Sequence, residues 1–306
     1  MKVVSYLKSV PAKNSNIQKE LLLKKFADGV NKTTDTGALH NSSTLIDCDV
    51  AVIQGWVHAQ TNSPHLKLRS EIIKTQIQNK KYVVAADANL FLYNNKENPH
   101  GYLRYSFNDV FPVNGIYCDN APNTSRWQKI SKDTGIRLEN YKTNGLNIVL
   151  CCQRNGGWSM GTTTVNNWIR NTVTEIRKYS SRRIIIRGHP GDKLGKEYLK
   201  DPMIANLPNC KITVGTPLST DLKKAWAVVN HNSSSIVGPI IQGYHGFITN
   251  PLNSQCKEVA ETNFSKIENP QEFDRQQWLE RISMFHWKFD ELETGECWQH
   301  MRNYCQ

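Results

Sequence analysis

The chain has 306 residues, 39% of them hydrophobic and 21% charged, which suits one large α/β domain or two of ordinary size. Its formal net charge is +11, and the excess is uneven: residues 1–224 hold 32 Lys and Arg against 17 Asp and Glu, whereas residues 257–306 hold 6 against 10. No apolar run approaches the roughly 18–20 residues needed to cross a bilayer, and Met1 to Pro11 has no cleavage-site pattern, so a cytoplasmic protein without membrane insertion is expected.

Eight scattered cysteines, with no CxxC and no HxxxH pairing, read as buried thiols rather than a disulfide framework or a zinc site, so no metal is expected. Cys151-Cys152 ends an apolar run and reads as strand core. A cationic body favours polyanionic partners such as nucleic acid or an anionic membrane face, although charge alone names neither.

Short apolar runs alternate with amphipathic stretches, which is the pattern of an α/β fold. In the N-terminal half Val3–Leu7, Val50–Gln54 and Tyr82–Ala86 read as strands, and Ile72, Ile73 and Ile77 place a helix over Leu68–Asn79. Residues 94–144, rich in Asn, Pro, Gly and aromatics, read as irregular structure that leads to a linker near Lys142–Gly145. The pattern then restarts. Leu146–Cys152, Arg183–Arg187, Lys211–Val214, Ala227–His231 and Gly246–Thr249 read as strands; Val165–Tyr179, Asp221–Ala225 and Ser234–Gln242 read as helices. Two doubly wound, Rossmann-like halves follow, 1–144 and 145–282, which face each other across a cleft. Residues 283–306 form a terminal helix, its Trp287 and Trp298 being anchors that pack it back on the first half. Ligands of such halves bind at the carboxyl ends of the strands.

Four segments at those ends can carry chemistry. Arg183-Ile-Ile-Ile-Arg187-Gly188-His189-Pro190 delivers a guanidinium, which suits phosphate through paired donors, and an imidazole able to donate to a departing phosphate. Ala227 to Ser235 is a buried strand that runs into Asn232-Ser233-Ser234-Ser235; serines cap helices, and the free amides at such a cap also receive a pyrophosphate. The Gly-rich turn after the strand that ends at Cys152 adds Arg154 and Ser159, and without a GxGxxG pattern NAD is disfavoured. Among the N-terminal polar residues placed after strands, Asp87 and Asp28 are candidates for the base that a transferase needs on its acceptor hydroxyl; capping and turn roles compete for both.

A His-Pro at one strand end and a serine run at a later one resemble the C-terminal halves of bacterial polysialyltransferases, capsule Kdo transferases and CDP-glycerol glycerophosphotransferases, enzymes of the two-Rossmann-domain (GT-B) type. The resemblance covers residues 145–300. It implies a glycosyltransferase whose donor phosphates are held by His189, Ser233 and Ser234, with the nucleotide-sugar as co-substrate, no other cofactor and no metal. Those families place their base in an acidic-residue-Gly motif that Asp28-Gly29 half matches.

The run of QGW, LRYS, QRNGGWSMG, RGHPGDK and NSSS more loosely resembles transferases of tailed phages that attach glucose or arabinose to hydroxylated cytosines, which implies UDP-glucose or UDP-arabinose as donor, double-stranded DNA as acceptor and a host cytoplasm as location. The base would have to leave the helix to reach the donor. Arg104, Tyr105, Arg126, Lys129 and Lys132 are the candidate DNA contacts, since basic and aromatic residues together track a phosphate backbone and stack bases. A capsule or envelope polysaccharide transferase is the alternative, and a non-catalytic nucleic-acid-binding protein is the second.

Overall fold

The computed structural model describes residues 1–11, 17–58, 62–92, 98–155, 157–192 and 199–305. It divides into two compact units, Met1–Gly135 with Leu279–Gln306, and Ile136–Trp278. The boundaries thus fall at Gly135 and Leu279, where the sequence suggested 144 and 283.

Unit 1 is built on β1 (Lys2–Tyr6), β2 (Thr36–His40), β3 (Val50–Gln54), β4 (Tyr82–Ala88) and β5 (Leu103–Phe107), with β2, β1, β3 and β4 parallel and β5 antiparallel beside β4. The pleat sends alternate side chains to opposite faces. Val3, Val50, Val52 and Val84 pack with Leu22, Leu23, Phe26 and Val30 of helix α1 (Ile17–Val30), while Val4, Ala51, Ile53 and Val83 pack with Leu68 and Ile72 of helix α2 (Pro64–Gln78). The region read as irregular holds β5 and helix α3 (Thr124–Thr134), capped by Asn123 and ended by Gly135 in the left-handed conformation. The terminal segment is not one helix. Strand His286–Trp287 pairs with β5, and short helices Phe289–Glu293 and Glu296–Met301 follow, burying Leu292, Trp298 and Met301 on the α1 side.

Unit 2 holds five parallel strands, β6 (Asn147–Cys151), β7 (Arg183–Arg187), β8 (Cys210–Thr213), β9 (Ala225–Asn230) and β10 (His245–Ile248), in the order β10-β9-β6-β7-β8. Ile148, Leu150, Ile184, Ile186, Ala227 and Val229 meet Trp168, Ile169, Val173 and Ile176 of helix α4 (Val165–Arg177). The chain steps outward from β6 to β7 and β8, then returns to the other side of β6 as β9. This makes β6 and β9 the topological switch point of the sheet.

Candidate functional site

In unit 2, Cys151, Arg187 and Asn230 stand at one level at the carboxyl ends of β6, β7 and β9. The loops beyond them are tied together. Gln153 Nε2 donates to Asn232 Oδ1, Asn232 Nδ2 donates to the Ser159 carbonyl (3.1 Å), and Asn155 N donates to Asp192 Oδ2 (2.7 Å). Ser235 hydrogen-bonds the Cys151 thiol, and the buried Asn230 donates to the Ser233 carbonyl (2.7 Å).

His189 stands two residues beyond the end of β7. Its Nδ1 accepts the Gly191 amide (3.1 Å), which leaves the proton of the neutral ring on Nε2. Burial pushes its pKa below the ordinary histidine value; Asp192 opposes that shift and Arg154 reinforces it. The result is a neutral imidazole with an Nε2–H donor, beside the exposed Arg154.

Two expectations change. Arg187 is not presented as a phosphate fork: Nη1 binds Asp221 Oδ2 (2.7 Å) and Thr216 Oγ1 (3.2 Å), and Nη2 binds the Thr216 carbonyl (2.5 Å). Only 11% and 7% of the Arg187 and Asp221 side chains are exposed, and a guanidinium so enclosed requires the counter-charge. The helix expected at Ser234–Gln242 is a 3-10 turn, Ser234–Ile236, followed by one short helix, Val237–Ile241. Ser233 caps that turn by accepting from Ser235 N (3.2 Å), so its hydroxyl has a structural partner, and Ser234 is exposed. A macrodipole of weight needs more turns than this. Gly156 and Lys193, which belong to the QRNGGWSMG and RGHPGDK runs, lie outside the described residues.

In unit 1, Asp87 is the last residue but one of β4, and Arg104 faces it across the ladder with Nη2 2.5 Å from Asp87 Oδ2. Asp28 is not at a strand end. It lies exposed on the last turn of α1, and the glycine after it serves packing: a Cβ on Gly29 would stand 1.7 Å from the Leu292 carbonyl oxygen. A base role for Asp28 therefore loses its positional argument.

The DNA set disperses as well. Tyr105 is 1% exposed, in the core beside Phe26. Arg126 is buried, bonded to both oxygens of Glu291 and to the His286 carbonyl, and lies 4.0 Å over the Trp287 ring. Arg104 is held by Asp87, and Lys129 pairs with Glu291 and Glu296, whereas Lys132 is exposed. The alternation of β5 and the burial of one face of α3 put the aromatic residues inside.

One pair was not read from the sequence at all. His58 Nε2 lies 3.1 Å from Asp109 Oδ1, and Asp109 is buried, accepting also from the Val110 and Phe111 amides and from Asn114. The Ser106 hydroxyl donates to the Asp109 carbonyl (2.6 Å). Ser106 and Arg104 are two apart on β5, as Ala85 and Asp87 are on β4, so Ser106 and the Arg104–Asp87 ion pair share the sheet face that α2 covers. Among the described residues no group of three or more His, Cys, Asp or Glu side chains is arranged to hold a metal ion.

No protein-family model matches the chain, and no curated protein matches it in sequence. Among solved structures it is similar to the KpsC β-Kdo 2,7 transferase of Thermosulfurimonas dismutans, with TM-score 0.55, 11% identity and 100% of both chains covered. It is also similar to the KpsC β-Kdo 2,4 transferase of that organism, with TM-score 0.57, 10% identity, and 94% of this chain and 91% of the other covered. At such identity the likeness is one of fold: an α/β chain with two parallel-sheet, Rossmann-like domains of the GT-B type.

Proposed function

We propose that the chain is a glycosyltransferase that uses a nucleotide-sugar donor and a saccharide acceptor of the envelope or capsule kind. The carrying observation is the switch point of unit 2, where a neutral His189 offers Nε2–H within reach of the Arg154 charge, and where Gln153 and Asn232 tie together the loops that follow β6 and β9. These donors suit the phosphates of a nucleotide diphosphate or monophosphate leaving group. The shared fold with two Kdo transferases supports the class. Arg187 enters this reading through Asp221, as the group that holds the ends of β7 and β8, and not as a phosphate ligand.

On the acceptor side, the His58–Asp109 pair has the form of a base and its orienting carboxylate. With Nε2–H donated to Asp109, Nδ1 is the unprotonated nitrogen. We therefore prefer His58 to Asp87, whose carboxylate is engaged by Arg104, and to Asp28. A DNA acceptor, or a nucleic-acid binder without catalysis, is less well supported because Tyr105 and Arg126 serve the interior of unit 1 and Arg104 is engaged by Asp87.

The test is a donor panel of UDP-glucose, UDP-arabinose and CMP-linked sugar acids, each incubated with oligosaccharide acceptors and with hydroxymethylcytosine DNA, and the products weighed by mass spectrometry. Transfer to an oligosaccharide is the expected result. Transfer to DNA alone would reverse the acceptor assignment, and failure of UDP and CMP to bind in calorimetry would remove the transferase reading.

A further inference from the structure

Arg69, in the second turn of α2, is 6% exposed, and among the described residues no carboxylate lies within ion-pair distance of it. Its Nε donates to the Ser9 carbonyl beyond β1 (2.7 Å) and its Nη2 reaches Gln54 Oε1 at the end of β3 (3.4 Å). The backbone makes room for it. Gly55 has φ +80°, and a Cβ there would stand 2.9 Å from Arg69 Nη1. The acid whose charge Arg69 senses is Asp87, which is already bonded to Arg104.

Arg104 in turn keeps a buried Nε with no partner among the described residues. Lys19 of α1 is a third cation in the group. It senses Arg69 and Asp87, and burial followed by the Arg69 charge lowers its pKa. Burial also lowers the Arg69 pKa, to about 10, against the pull of Asp87. Asp87 is thus the carboxylate that Arg104 binds and that Arg69 and Lys19 sense, and Gln54 and Asp87, to which Arg69 and Arg104 reach, stand at the carboxyl ends of β3 and β4, the edge at which ligands of parallel sheets bind.

An enclosed guanidinium without a counter-charge is costly, and an anion with paired oxygens relieves that cost while accepting the unused donors. We propose that Arg69, Arg104 and Lys19 form an anion-binding subsite for a carboxylate or phosphate group carried by the acceptor. The word acceptor rests on the transferase reading; the anion site itself does not. Arg69 of α2 and the Arg104–Asp87 pair lie on the sheet face that α2 covers. In this role Asp87 is a positioning residue that fixes Arg104, and an acceptor bound there is a sugar acid or a sugar phosphate rather than a neutral sugar.

The experiment is a titration of the full chain, by calorimetry and ligand-observed NMR, with inorganic phosphate, with sodium glucuronate and with methyl glucoside as the neutral control. UDP binding is measured on the same samples. At least one anion is expected to saturate while methyl glucoside does not, and Arg69→Gln and Lys19→Ala are each expected to weaken that anion roughly tenfold, the loss of one charge-assisted contact. UDP affinity should be unchanged in both.

Circular dichroism checks the fold of Arg69→Gln, and Lys19→Ala, a change at a half-buried helix position, serves if the first variant unfolds. Saturation by glucuronate alone assigns a carboxylated acceptor, and by phosphate alone a phosphorylated one. No saturation by either anion, or binding that both folded variants retain in full, would overturn the subsite. Anion binding without UDP binding would keep the subsite and remove the transferase reading.

Discussion

His58 Nε2 and Asp109 Oδ1 stand 3.1 Å apart, and Asp109 is fixed by two backbone amides and Asn114. A carboxylate held so firmly sets the tautomer of its histidine and stabilises the imidazolium that forms when the ring takes a proton. His58→Ala is expected to lower kcat by about two to four powers of ten, since general base catalysis contributes that range. Asp109→Asn should cost less than His58→Ala, and neither should weaken nucleotide binding. Asp28→Asn should be near wild type. A fully active His58→Ala enzyme would return the base role to Asp87, for which Asp87→Asn is the matching test.

On the proposed transferase reading, donor-side chemistry is tested at His189. His189→Ala should reduce turnover by about two to four powers of ten, roughly 3–5 kcal/mol for losing a donor aimed at the leaving phosphate. Because burial depresses its pKa, the neutral ring persists below the usual histidine range. The acid limb of the kcat profile should therefore lie below pH 6.5 where His189 governs it. A limb above pH 6.5 that is unchanged in a folded, active His189→Gln variant would show that another group controls the rate.

The parallel strands were legible because β-branched runs such as Val50–Ile53 and Ile184–Ile186 are buried on both faces, which leaves no alternation to confuse with a helix. Once the strands are known, so are their carboxyl ends, and the positions of His189, Arg154, Ser159 and Asn232 in the loops beyond those ends follow. β5 misled for a physical reason. Arg104-Tyr105-Ser106-Phe107 reads as a basic aromatic run until the pleat separates it, with Tyr105 and Phe107 in the core and Arg104 and Ser106 on the other face. His58–Asp109 and Arg187–Asp221 had no signal to give, since each joins segments far apart in the chain. The stripe of Leu22, Leu23, Phe26 and Val30, by contrast, has plain helical spacing, and α1 could have been read from it.

His286 sets an acid limit on stability. It is 0% exposed, its Nδ1–H donates to the Ile282 carbonyl (2.7 Å) and its Nε2 accepts the Leu90 amide (3.0 Å), so the fold needs the neutral ring. Burial, with the Arg104 and Arg126 charges adding to it, lowers its pKa from 6.5 to about 3. Between these values the unfolded chain binds a proton that the folded chain refuses. Stability is therefore full above pH 6.5 and falls below it, by about 1.4 kcal/mol per pH unit for one proton. Denaturant melts from pH 7 to pH 4 should show that slope, and His286→Gln should flatten it; an identical slope in the variant would place the proton elsewhere.

Arg126 distinguishes a structural cation from a DNA contact. Its guanidinium binds both Glu291 oxygens and the His286 carbonyl under the Trp287 ring, with 7% and 2% of the Arg126 and Glu291 side chains exposed. Removing one partner leaves an uncompensated buried charge, so Arg126→Ala should destabilise unit 1 by roughly 3–5 kcal/mol. Glu291→Gln should do likewise, because Glu291 also holds Lys129. The Arg126–Glu291 contribution is largest above the ordinary carboxylate range and declines as pH falls, because burial raises the Glu291 pKa but its bonds to Arg126 and Lys129 outweigh that and hold it low. Charge reversal at the exposed Lys132 should leave the melting temperature nearly unchanged. If Arg126 instead contacted DNA, Arg126→Ala would keep its melting temperature and flatten the log–log dependence of DNA affinity on salt by about 0.9 per lost contact. Thermal melts and salt titrations of the same variant decide between the two.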